Sequence, residues 1–73
     1  MGQLYLLMNA SFKLVDLHND GISSFRILKS SSERVIVRVT FKSIDNALSY
    51  CMEFSKEIIA ASNRKEEMKE WGL

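Results

Sequence analysis

The side chains in this 73-residue chain best suited to nucleophilic or acid–base work are one thiol, Cys51, and one imidazole, His18. They stand far apart in sequence, and a thiol becomes a catalytic nucleophile only when a base is close in space. His18 precedes Asn19-Asp20-Gly21, a strong turn signal, and has no nearby partner that would make it a general base or a metal ligand. Cys51 falls on an apolar stripe at helical spacing, where a thiol behaves as a small core group. The serines at 23, 24, 30, 31 and 32 sit in no Gly-x-Ser-x-Gly elbow and no glycine-rich phosphate loop, and Asp16, Asp20 and Asp45 lack the spacing of a calcium loop. The chain is therefore expected to be non-enzymatic, with no cofactor and no metal.

What remains is a set of basic residues, which form either a solvated face or a binding surface. Arg26, Arg34, Arg38 and Lys42 recur through two apolar stretches, and guanidinium groups pair with carboxylates or phosphates through a rigid fork of donors. Whether they share a surface depends on the elements that carry them. Arg34-Val-Ile-Val-Arg-Val-Thr-Phe-Lys42 alternates with period two, so Val35, Val37, Val39 and Phe41 share one side of a strand, and Arg34, Ile36, Arg38, Thr40 and Lys42 share the other. From Ser43 the period changes to that of a helix. Ser43 suits an N-cap and Asp45 suits the first turn, after which Ile44, Ala47, Leu48, Cys51, Phe54, Ile58 and Ala61 trace an apolar stripe.

Asn19-Asp20-Gly21 predicts a hairpin pairing residues 12–18 with 22–29, and Ser30 to Glu33 predicts a second reversal into the strand at 34–41. The expected fold is α+β: a three-stranded antiparallel meander with a long C-terminal amphipathic helix on one sheet face. Residues 3–9 fit a fourth strand or a short helix equally well, because Leu4 to Met8 is an unbroken apolar run. The absence of proline, and the confinement of glycine to positions 2, 21 and 72, indicate a single domain over 1–73. The charged segment 64–73 either folds back through Met68 and Trp71 or projects as a tail helix with Trp71 as an anchor.

If the valine side lies under the helix, the other sheet side is a basic lattice of Arg26, Arg34, Arg38 and Lys42 with Leu28 and Ile36 set among them. That composition suits a protein interface, and the expected function is a protein-binding module that uses this face together with Trp71. A nucleic-acid-binding module using the same face is the first alternative, though no aromatic is interleaved among these arginines in sequence. A structural homo-oligomer assembled through Leu4 to Met8 is the second.

The stretch Val39-Thr-Phe-Lys-Ser-Ile-Asp-Asn-Ala-Leu-Ser-Tyr50 resembles a recurrent strand-to-helix joint. Similar joints occur in the three-stranded arm-binding domains of phage integrases and in small phage-encoded inhibitors of host machinery. The likeness reports a backbone solution and assigns no family. It implies an accessory or inhibitor protein of the kind that mobile elements encode.

A net charge of +1 gives no global attraction to nucleic acid or membrane, and the lone thiol suits a cytoplasmic protein. No apolar run is long enough for a membrane helix. A chain of this length buries only about 60–65% of the surface its unfolded form exposes, so its core is small and a homodimer is a natural way to enlarge it.

Overall fold

The computed structural model describes residues 2–10 and 21–72. In chain order they form strand β1 (Gln3–Asn9), strand β2 (Ile22–Ser30), strand β3 (Arg34–Phe41), helix α1 (Ile44–Glu53), strand β4 (Ile58–Ser62) and the short helix α2 (Lys65–Lys69). The strands make one antiparallel sheet in the order β2-β3-β1-β4. Strands β3 and β4 are parallel to each other, joined through α1, with β1 inserted between them. This is a split β-α-β unit.

The three-stranded meander with a long C-terminal helix is thus corrected in two respects. The amino-terminal run is a strand in the sheet interior, between β3 and β4. Leu6, Leu7 and Met8 are all buried, because both faces of β1 are covered, and a doubly covered strand reads as a continuous apolar run. The helix, for its part, does not continue past Ile58. It ends at Glu53, with the Phe54 N–H donating to the Tyr50 carbonyl, and the chain reverses through residues 54–57 into β4. The Asn9 N–H donates to the Glu57 carbonyl at 3.0 Å, tying the start of β4 to the end of β1. Ile58 and Ile59 are β-branched and fit a pleated surface better than a helix interior. The expected hairpin partner of β2, residues 12–18, lies outside the described residues.

Apolar layers form on both sides of the sheet. On one side Leu6, Met8, Val37, Val39 and Phe41 pack with Ala47 and Tyr50 of α1. The Tyr50 ring lies 5.5 Å from that of Phe41 and 4.6 Å from that of Phe54, centroid to centroid. Ser43 caps α1, its Oγ accepting from the Asn46 N–H at 3.2 Å. On the other side Met68 of α2 closes over Leu7 and Ile36, bordered by Tyr5, Leu28, Ala60 and Trp71. The described part of that segment, residues 64–72, therefore folds back on the domain through Met68 and Trp71. Ser62 sets up that return, its Oγ accepting from the Arg64 N–H at 3.0 Å.

Candidate functional site

Strand register decides which of the cationic side chains meet. Arg26 on β2 stands opposite Arg38 on β3, Arg38 stands opposite Tyr5 on β1, and Tyr5 stands opposite Ser62 on β4. Residues directly opposite share a face, so these four side chains form one row across the α2 side of the sheet, with neighbours about 4.5–5.5 Å apart at Cβ. Arg26 is exposed, while Arg38 and Tyr5 are half-buried. The next row on that face is Ile36, Leu7 and Ala60, which is where Met68 lands.

Like charges directly opposite one another in a sheet repel. Among the described residues, neither Arg26 nor Arg38 has a carboxylate partner that would relieve this. The pair sets two guanidinium forks on adjacent strands, one with an aromatic ring beside it, an arrangement that could accept an anion.

The other expected site residues are placed differently. Ile36 is 1% exposed, so it packs under Met68 and offers no contact surface. Leu28 and Trp71 are half-buried at the border of the same cluster, and each presents only part of its side chain. The lattice of free apolar residues among arginines is therefore corrected to a basic strip beside a covered patch. Arg34 is exposed at the far end of β3, its N–H donating to Ser31 Oγ at 3.1 Å. Lys42 is exposed at the opposite end of β3 and lines a groove with Gly2, Ser43 and Ile44 near the start of α1. Arg26 and Arg38 are brought together, whereas Arg34 and Lys42 flank them at the two ends.

Sequence reasoning missed two features. Tyr5 belongs to the arginine row, which becomes visible only once β1 is known to pair with β3. The apolar stripe of α1 is also divided: Ala47 and Tyr50 face the sheet, while Ile44, Leu48 and Met52 are 69%, 60% and 78% exposed. Ile44 and Leu48 line a groove of about 310 Å³ with Leu4, Ala47, Gly2, Gln3 and Asn63.

Cys51 is half-buried against the core on the α1 side, and burial pushes its thiol above the ordinary value. That is the opposite of an activated nucleophile. Among the described residues no group of three or more His, Cys, Asp or Glu side chains could hold a metal ion, and no helix is long and apolar enough to cross a membrane. His18 lies outside the described residues.

The fold and this surface together define a small α+β domain with an antiparallel sheet. Compared with known proteins, the chain matches no family model, and neither a curated protein nor a solved structure matches it.

Proposed function

We propose that this chain is a non-enzymatic binding module, working in a reducing compartment, that holds an acidic segment of a partner protein along the Arg26–Arg38 row. The observation supporting this reading is the cross-strand pair itself, two guanidinium groups placed opposite each other with no counter-charge paired to them among the described residues. An incoming carboxylate removes their mutual repulsion and accepts charge-assisted hydrogen bonds from either fork. Arg34, at the end of the same strand, extends the positive strip.

The test is a titration of the intact chain with a Glu-rich peptide and a neutral control peptide, followed by Trp71 fluorescence, since Trp71 borders this face. Binding of the acidic peptide, lost in an Arg26→Glu, Arg38→Glu double variant with an unchanged far-UV spectrum, supports the reading. Retained binding in that variant, or no preference between the peptides, overturns it.

Tyr5 favours a second reading, nucleic-acid binding. An aromatic ring beside Arg38 on a sheet face provides a stacking surface next to a phosphate-binding cation. A single-stranded oligonucleotide bound with a steep salt dependence, and weakened by Tyr5→Ala, would replace the acidic peptide as the ligand.

A further inference from the structure

The amino end of α1 does not close fully against the sheet. Ala47 is buried there, and its single methyl leaves room beside Leu4, which is half-buried on the same side. The space is the apolar groove of about 310 Å³, with Ile44 and Leu48 as its outer wall. The second groove, of about 380 Å³, is lined by Gly2, Lys42, Ser43 and Ile44, and so shares Gly2 and Ile44 with the first. The two run together, apolar at the Leu48 end and cationic at the Lys42 end.

Gly2 keeps the junction open. Its φ is +70°, and a Cβ there would stand 3.0 Å from the Phe41 carbonyl oxygen. The Phe41 N–H in turn donates to the Gly2 carbonyl at 2.9 Å, holding the start of β1 against the end of β3. Backbone conformation and space both disfavour a side chain at position 2, so the passage between Lys42 and Leu4 carries none.

Charge and size select the occupant. Lys42 is the only charged residue lining either groove, Asp45 lines neither, and Lys42 makes no ion pair among the described residues. One ammonium group at the end of an apolar channel matches an amphiphile with a single negative charge. Ile44 and Leu48 stand one helical turn apart, about 6 Å along the axis, which accommodates a short alkyl chain. The volumes lie at the lower end of the roughly 300–1,000 Å³ of small-ligand sites, and a partner helix about 10 Å across would not fit.

We propose that this groove binds a medium-chain carboxylate, its alkyl chain lying along Leu4, Ala47, Ile44 and Leu48 and its carboxylate accepting from Lys42 Nζ. The alkyl chain covers apolar surface that α1 leaves exposed to water. The site is on the α1 side of the sheet, whereas the Arg26–Arg38 row is on the α2 side, so the proposal is independent of what that row binds.

Isothermal titration of the full chain with octanoate, below its micelle-forming concentration, tests it. One octanoate per chain is expected, with a Kd of about 1 mM or tighter. Affinity should rise by about twofold to fourfold per methylene from hexanoate to octanoate. Octanol, which lacks the charge, should bind at least about fivefold more weakly, and Lys42→Met should erase that difference. Leu48→Glu, at a position 60% exposed, should abolish octanoate binding with an unchanged far-UV spectrum. The Arg26→Glu, Arg38→Glu variant should bind octanoate as the wild type does. No saturable binding up to about 10 mM overturns the proposal, as do octanol binding equal to octanoate, binding that survives Leu48→Glu, and binding lost with the arginine pair. A ligand-free dimer that Leu48→Glu dissociates would assign the groove to a second copy and overturn it too.

Discussion

Gly21 is buried against Asn46, so closely that a Cβ at position 21 would stand 2.9 Å from Asn46 Cβ and 2.8 Å from its Nδ2. The contact joins the entrance of β2 to the first turn of α1, and the Lys42 N–H donates to the Gly21 carbonyl at 2.9 Å in the same corner. Asn46 cannot swing aside freely, because its Oδ1 accepts from Ser43 Oγ at 2.7 Å and its backbone N–H is held by the same hydroxyl.

Gly21→Ala is therefore expected to destabilise the domain by about 1–3 kcal/mol, as overpacking does when neither neighbour can yield. Urea unfolding of the variant beside the wild type measures it. A change of a few tenths of a kcal/mol or less would mean that the corner is looser than this contact implies.

The cover that α2 places over the second face can be weighed against the open side of α1. Ile36→Ala removes a fully buried side chain and is expected to cost about 2–5 kcal/mol, with Met68→Ala in the same range. Ile44→Ala, at a position 69% exposed, is expected to change the stability of the single folded chain by no more than about 0.5 kcal/mol when measured under dilute conditions. In Met68→Ala the emission of Trp71 should move to longer wavelength as the ring loses its apolar neighbour. Equal costs at Ile36 and Ile44 would contradict the two-sided core.

Cys51 gives a pH dependence with a definite sign. Burial raises the folded thiol above the ordinary 9.0, so the folded chain holds this proton more tightly than the unfolded chain does. The contribution is complete below 9.0 and is lost as pH rises through the elevated folded value. Subtracting the profile of Cys51→Ala from that of the wild type isolates it. The difference should be flat at neutral pH and fall in the alkaline range, and native Cys51 should react with a disulfide reagent more slowly than in denaturant. A difference that rises with alkaline pH would reverse the assignment.

Elements whose signals are local were readable from the residues. Strands β2 and β3, the reversal between them and the Ser43 cap follow from alternation, turn chemistry and capping, and the parity of Val35, Val37 and Val39 located the α1 side. The end of α1 was not readable, because Phe54-Ser55-Lys56-Glu57 holds no glycine or proline and the apolar spacing runs through it to Ile58. Tertiary pairing with β1 overrides that spacing. The candidate surface divides in the same way: parity alone puts Arg26 on the same face as Arg38, but the register that sets them opposite each other, and the burial of Ile36 under Met68 from an element remote in sequence, are visible only in the fold.

Strand β1 also governs when the fold can be completed. Its two partners are drawn from residues 34–40 and 58–62, so β1 must wait for β3 before it gains one neighbour and for β4 before it gains the second. Pairing over such separations is slow to form, and Leu6, Leu7 and Met8 stay open to water and to other chains meanwhile. A nascent chain halted before Ile58 would leave one edge of β1 unpaired and its apolar run open to association with other chains.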